Sequence, residues 1–330
     1  MTLRTLPFSA DPRLALYRMV NLLKVAGEPT RMRLLTLLGH GDLTVSDMTS
    51  VLGQSQPRVS RHLRLLVEAR LIERHQEGAW AYFRLARSDA ALAIKPVLDQ
   101  LDPNDADLAR DRKRLDTVRA EHAAAASDYF AANAADWDRI RALHAPDEAV
   151  ERAMLELIGD TPIQSMLDLG TGTGRMLEVF ASLVREGLGL DTSREMLAIA
   201  RNKLRVEGLS HLRVQRANIL AADVPGERFD LVTMHQVLHF LDAPQRAIRE
   251  AKRVLAPGGR LLIADFAPHN HEFLREEQAH RRLGFAPETV VDWLQGIGLS
   301  IEAIRELPSD DGDGLTVVLW LARDPRRVMA

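Results

Sequence analysis

A chain of 330 residues has the length of about two domains, and its 46% apolar content is enough to bury a core in each. It contains no cysteine, which excludes disulfides, thiolate metal ligands and cysteine nucleophiles, and no window approaches the roughly 18 apolar residues of a membrane span. The net charge of −3 is uneven: residues 1–100 carry 14 Lys and Arg against 9 Asp and Glu, the rest 29 against 37, so the first third is basic and suits a polyanion.

The first residues, MTLRTLPFSADPRL, lack an apolar core followed by a small-residue cleavage site, so a cytoplasmic location is expected. Pro12 to Ala26 reads as a helix with Leu14, Leu16, Met19, Val20, Leu22, Leu23 and Val25 on one broad face. Glu28-Pro29-Thr30 interrupts it, and Thr30 is the expected cap of a second helix that Gly39-His40-Gly41 closes. Thr44 to Leu52 is a short helix capped by Thr44 or Ser46. Gly53-Gln54-Ser55 then turns into another, with Ser55 as cap and Pro57 in the first turn, where its missing amide costs nothing. In that helix, SQPRVSRHLRLLVEARLI, Val59, Leu63, Leu66 and Val67 share one face, while Gln56, Arg58, Ser60, Arg61 and Arg64 decorate the other. Such side chains reach base edges and phosphates when a helix lies in a major groove; the alternative is a solvated face. The expected DNA-reading set is Ser55, Gln56, Arg58, Ser60, Arg61, His62 and Arg64, with His75 in the following stretch. That stretch, LIERHQEGAWAYFRLA, reads as a β-hairpin wing turning at Glu77-Gly78.

The order helix, helix, short helix, recognition helix, wing resembles the ArsR family of winged-helix repressors over residues 12–100, on VAGEPTRMRLLTLL, SQPRVSRHLRLLVEARLI and EGAWAYFRLA. The resemblance implies a double-stranded DNA operator and a homodimer formed through the first and last helices, the latter here Ala90 to Leu101. The chain departs from the arsenic-sensing pattern, with Asp42-Leu43-Thr44-Val45-Ser46-Asp47 where those relatives carry a cysteine pair. Asp102, Asp105, Asp107, Asp111 and His122 could be drawn as an oxygen and nitrogen metal site, but a solvated acidic helix is the preferred reading and no metal is expected.

Asp102 to Asn104 breaks the last winged-helix element, Asp105 to Arg119 reads as a charged helical linker, and AEHAAAASDYFAANAADWDRIRALHAP as an alanine-rich helix. Beyond Ile163, apolar runs alternate with amphipathic helices, as in a parallel sheet covered on both faces. The expected strands are MLDLG, GLGLD, LRVQ, FDLVTM and RLLIADF. SIEAIREL and LTVVLWLA, joined by the turn-forming residues from Ser309 to Gly314, form an antiparallel edge hairpin. Gly170, Gly172 and Gly174 end the first strand in a loop that opens a helix, where a ligand can touch backbone only if no Cβ intervenes. Alone, the loop could be a tight turn binding nothing. Asp191, seventeen positions after Gly174 at the tip of the next strand, can accept both ribose hydroxyls of an adenosine, a geometry that a nicotinamide dinucleotide would also satisfy.

Together with LDLGTGTGR and GLDTSREMLAIA, the stretches NIL, FDLVTMHQVLHFLDAP and RVLAPGGRLLIADF resemble the class I S-adenosylmethionine-dependent methyltransferases over residues 163–266. The resemblance implies S-adenosylmethionine as cofactor and S-adenosylhomocysteine as product. Gly170, Thr171, Gly172 and Gly174 would line the methionine end, Asp168 would order the loop or the amino group, and Asp191 would take the ribose, with Thr192, which caps the next helix together with Ser193, also in the cofactor-binding set. Met196 would lie under the adenine, Asn218 and Ile219 at its edge, and His235, Gln236 and Val237 at the sulfonium. Relatives usually carry Asp at the position of Asn218, whose amide oxygen can still accept. His235 and His239 are the candidate catalytic bases, or they line the pocket. Tyr129, Phe130 and Trp137 stand where such enzymes cap the cofactor, or they pack their own helix.

The expected fold is therefore multidomain: an α+β winged helix-turn-helix over residues 1–101, a helical linker and cofactor lid over 102–145, and a Rossmann-like α/β methyltransferase sheet, mostly parallel with an antiparallel edge hairpin, over 146–330. The expected function is a DNA-binding transcriptional regulator whose second domain methylates an unidentified small molecule, or else senses S-adenosylmethionine or S-adenosylhomocysteine without catalysis.

Overall fold

The computed structural model describes residues 14–142, 147–160, 162–309 and 314–326. Pro12 and Arg13 of the expected first helix, His144 and Ala145 at the end of the alanine-rich segment, and Asp310 to Asp313 of the expected turn lie outside the described residues. The chain divides into two compact units, the first ending at Glu121 and the second beginning at His122.

In the first unit, helices α1 (Leu16–Ala26) and α2 (Pro29–Leu38) are followed by the short strand β1 (Leu43–Thr44), α3 (Val45–Leu52) and α4 (Gln56–Glu68). Strands β2 (Ile72–Glu77) and β3 (Trp80–Leu85) come next, then α5 (Asp89–Leu98) and the 28-residue helix α6 (Ala106–Asn133), which enters this unit with its first half. The hairpin pairs Ile72 with Leu85 and Glu77 with Trp80, so the turn is Gly78-Ala79. β1, too short to read as a strand, adds a third strand by pairing Leu43 with Phe83. Leu34, Met48, Val51, Val59, Leu63, Leu66, Leu71 and Ile94 form the buried centre.

Two caps differ from expectation. Glu28, not Thr30, caps α2: its carboxylate accepts from the Arg31 amide at 2.9 Å, and Pro29 in the first turn needs no acceptor. Ser55 precedes α4 but its hydroxyl makes no capping hydrogen bond. Thr44 caps α3 reciprocally: its Oγ1 accepts from the Asp47 amide while Asp47 accepts from the Thr44 amide at 3.0 Å. The charged start of α6, read as a linker, is docked. Arg33 donates twice to the buried carboxylate of Asp111, at 2.6 Å each, and Leu115 is buried in the first unit's core.

The second unit adds α7 (Trp137–Ala142), α8 (Asp147–Ile158), β4 (Ile163–Leu169), α9 (Arg175–Phe180), β5 (Val184–Asp191), α10 (Arg194–Val206) and β6 (Leu212–Arg216). There follow β7 (Phe229–His235), α11 (Pro244–Val254), β8 (Leu255–Phe266), α12 (Phe273–Glu277), α13 (Pro287–Gly296), β9 (Ser300–Leu307) and β10 (Val317–Arg323). The seven strands run β6-β5-β4-β7-β8-β10-β9, with β6 through β8 parallel and β10 antiparallel to both its neighbours. The expected hairpin thus enters the sheet by its second strand and leaves β9 at the edge. Side chains alternate between two cores: Leu167, Val232 and Ile263 face Ile248 and Leu294, while Met166, Leu231 and Leu262 face Met154 and Phe180. Strand order reverses between β4 and β7, so their carboxyl ends splay apart and leave a crevice, where such sheets bind ligands.

Candidate cofactor site and candidate DNA-reading helix

The loop after β4 is fixed from the neighbouring strand. Leu190 O accepts from the Gly170 and Thr171 amides, and Asp191 accepts from the Gly172 amide at 2.9 Å through one oxygen and from the Ser193 amide at 2.8 Å through the other. Burial nonetheless pushes the Asp191 carboxyl up from its ordinary value. Gly170 is in the left-handed region (φ 79°), and a Cβ there would lie 2.4 Å from Val237 Cγ2. Asp168, at the end of β4, is fully buried and accepts from Thr233 Oγ1 at 2.7 Å; burial raises its pKa to about 6.

These groups open into a cavity at the strand ends. Asp168, Gly170, Thr171, Gly172, Asp191, Thr192, Met196, Asn218, Ile219, His235, Gln236 and Val237 all line it. Gly174 and His239 do not. Gly174 (φ 85°) starts α9, with a would-be Cβ 3.2 Å from Ala200. His239 is buried, its Nδ1 2.8 Å from Asp265 Oδ1 and its ring against Phe240, Phe266 and His280. Ser193 caps α10 by accepting from the Met196 amide, and Asn218 Oδ1 accepts from the Leu220 amide at 2.9 Å.

His235 is buried, and desolvation, reinforced by the charge of Arg141, holds its pKa well below the ordinary value; the ring is neutral at pH 7. His235 Nε2 and Gln236 Nε2 are buried polar atoms without hydrogen-bond partners, and Gln236 has a positive φ of 51°. Two such atoms at one cavity mark a place where a polar ligand is wanted.

Of the other wall, Phe130 and Trp137 are as expected for a cap, Tyr129 does not line the cavity, and the remaining residues were missed. α6 contributes Ala123, Ala126, Ser127 and Phe130, α7 contributes Trp137 and Arg141, and the segment after β7 contributes Phe240 and Leu241. Asp138 clamps α7 to the glycine loop by accepting from Thr173 Oγ1 at 2.7 Å and pairing with Lys203; these bonds outweigh burial and hold its pKa low. The i, i+4 spacing of Trp137 and Arg141 was the available signal. Of the acidic set considered for a metal, Asp111 pairs with Arg33, and His122 Nδ1 lies 2.9 Å from Asp242. Among the described residues, no three His, Asp or Glu side chains converge as metal ligands do, and no helix is long and apolar enough to cross a membrane.

In the first unit, α4 turns Val59, Leu63 and Leu66 inward and leaves Ser55, Gln56, Arg58, Ser60, Arg61 and Arg64 exposed. His62 is half-buried 3.5 Å from Glu28, and burial lowers its pKa. His75 stacks on Tyr82 at 5.6 Å, with Glu77 at 3.3 Å from its Nε2. The two histidines are therefore turned toward carboxylates, while the serines, glutamine and arginines form the open face.

Residues 28–74 match the family model described as "Bacterial regulatory protein, arsR family", and residues 167–263 match "Methyltransferase domain". The chain joins an arsR-family helix-turn-helix to a methyltransferase domain. The Ubiquinone/menaquinone biosynthesis C-methyltransferase UbiE of Shewanella oneidensis is 35% identical over 130 residues, covering 38% of this chain and 52% of its own. The protein of the same name from Shewanella sp. strain W3-18-1 is 34% identical with the same coverage. The chain thus spans about half the length of the curated relatives it matches. A solved chain from the Haloferax volcanii complex of the Trm112 methyltransferase activator with a methyltransferase is 19% identical, covers 60% of this chain and 98% of its own, and superposes with a TM-score of 0.50, a likeness of fold. The arsR-family segment contains α2, α3 and α4 whole, and the methyltransferase domain match runs from β4 into β8.

Proposed function

We propose that this DNA-binding regulator holds S-adenosylmethionine in its methyltransferase domain and transfers the methyl group to a small molecule. The observation that carries the reading is the cavity at the β4/β7 switch point, where His235 Nε2 and Gln236 Nε2 stand unpartnered beside a loop that tolerates no Cβ at Gly170. In this reading Asp191 and Thr192 take the ribose, Met196 lies under the adenine, Asn218 and Ile219 meet its edge, and Asp168 faces the methionine amino group. His235, Gln236 and Val237 face the sulfonium, which supplies an electrophilic methyl; a neutral His235 adds no repelling charge there and can orient a methyl acceptor's proton. His239, held by Asp265 behind Phe240, supports this wall instead of acting on substrate. The relatives' names support methyl transfer, and the matched 38% of the chain leaves their substrate aside.

Operator binding is assigned to the open face of α4. Exposed Leu16, Tyr17, Val20 and Leu23 on α1 and Leu92 and Val97 on α5 support a homodimer, acting in the cytoplasm. Arg61→Ala is expected to weaken binding to a mapped operator about tenfold or more with the domain still folded; gel shift at physiological salt with circular dichroism checks this, and unchanged affinity would remove α4 from the interface.

A second reading, the non-catalytic sensor, is favoured by α6 itself. One helix places Asp111 and Leu115 in the first unit's core and Ala126 and Phe130 at the cavity. Incubation with labelled S-adenosylmethionine and extract should yield a labelled metabolite if the domain is catalytic. Operator affinity that shifts with S-adenosylhomocysteine, without labelled product, selects the sensor.

The pKa of Asp168 gives a pH dependence. A ligand ammonium binds the ionised carboxylate, so affinity for S-adenosylhomocysteine should be flat above pH 7 and fall about tenfold per unit below about 6. Titration calorimetry at pH 5, 6 and 7.5 tests it; equal affinities would take Asp168 out of the ligand's reach.

A further inference from the structure

We propose that the open edge of the methyltransferase sheet, where α10 meets β6, binds the phosphate backbone of duplex DNA and gives the chain a second, sequence-independent contact with it. β6 ends the strand order, so no strand covers its outer side. Residues 194–216, which form α10, the turn after it and β6, carry six Lys and Arg against two Asp and Glu, although residues 101–330 as a whole carry 29 against 37. Arg201 and Arg205 stand one turn apart near the end of α10, and with Arg213 of β6 they line a groove that shares no residue with the cofactor cavity. All three side chains are exposed.

Pairing decides what the groove offers. Arg228, Arg253, Arg305 and Arg326 of the same unit each meet a glutamate. Among the described residues, none of Arg201, Arg205 and Arg213 has a carboxylate within 4.0 Å, and Arg205 donates only to the neutral Asn202 side chain, at 3.0 Å. Each guanidinium therefore keeps planar donors for an oxyanion. Leu204 and Leu212 on the floor of the groove are each 5% exposed, so what it presents is chiefly charge. That suits a polyanion better than a lipid tail or the apolar face of an acidic helix. Duplex DNA is the polyanion that the helix-turn-helix of the same chain engages, and the acidity of residues 101–330 would repel it wherever no such basic face intervened. Charge on an edge strand also discourages edge-to-edge pairing, which accounts for Arg213 but not for Arg201 and Arg205 on the helix.

The test compares the full chain with the Arg201→Gln, Arg205→Gln, Arg213→Gln triple variant on two duplexes. One is a mapped operator alone, the other the same operator with about two helical turns of unrelated sequence on each side. Affinities are measured from about 50 to 200 mM salt. The unaltered chain should bind the longer duplex about tenfold more tightly at low salt, and the variant should lose most of that gain. On the longer duplex its plot of log K against log salt should be shallower by about 0.9 for each arginine that meets a phosphate. S-adenosylhomocysteine affinity should stay within about twofold, since none of the three lines the cofactor cavity. Arg61→Ala should weaken both duplexes alike, which separates this edge from the operator-reading helix. Equal slopes for the variant and its parent, or no gain from the flanks in the unaltered chain, would overturn the proposal. Capture of a poly-glutamate peptide by the edge with the slope unmoved would overturn it too, and would assign the face to an acidic protein.

Discussion

Gly170→Ala should raise the dissociation constant for S-adenosylhomocysteine by about a hundredfold or more while the sheet stays folded. Two costs add. An alanine in the left-handed region is strained by about 1–2 kcal/mol, and its Cβ would sit 2.4 Å from Val237 Cγ2, inside contact distance. Relief requires the loop or Val237 to move, and both line the cavity. The Gly170 and Thr171 amides hang on Leu190 O, so a shifted loop also loses its register with Asp191. Pairing the substitution with Val237→Ala removes the 2.4 Å contact but leaves the Cβ of residue 237 at 3.1 Å and the backbone strain, so the double variant should recover part of the affinity. A single variant that binds within about threefold of the parent would mean that the ligand does not use this loop.

Arg33→Met should destabilise the first unit by about 3 kcal/mol. Asp111 is 2% exposed and takes both its short hydrogen bonds from the Arg33 guanidinium, so removal of the cation strands a buried carboxylate. The pair raises the Arg33 pKa in turn, chiefly through its hydrogen bond to Asp111. Hydrogen exchange should show α2 and α6 losing protection up to Val118, and a second change, Asp111→Leu, should restore most of it because an apolar pair of similar volume costs less than a broken ion pair. Unaltered protection in Arg33→Met would show that α6 is not held to the first unit by this contact.

The strands of the second unit were legible because fully buried parallel strands read as short apolar runs punctuated by Gly, Asp and Ser. Asp191 and the glycine loop were legible because sequence separation across one βαβ unit fixes where the carboxylate ends up. Most of the lid was not. Arg141 looks like any surface arginine until α7 is clamped by Asp138, and Phe240 reads as core until its ring meets Phe130, a contact across 110 residues. His239 and His235 are four apart and read alike. His235 ends β7 and lines the cavity, while His239 sits inside the short helical turn Leu238–Phe240, which aims it at Asp265. The start of α6 reads as a solvated linker because its charges are dense, and its structural role shows only in contacts distant in sequence: Asp111 with Arg33, Arg114 with Val51 O and Arg119 with His40 O.

The central claim is that the cavity beside the glycine loop is a site for S-adenosylmethionine and its product. Its most direct test is isothermal titration of the full chain with S-adenosylhomocysteine at pH 7.5. The account predicts one site per chain with a dissociation constant in the range of enzyme KM values, about 1 μM–1 mM, raised about a hundredfold or more by Gly170→Ala. No binding heat, together with no protection of the 170–174 and 235–237 amides in hydrogen exchange, would contradict it.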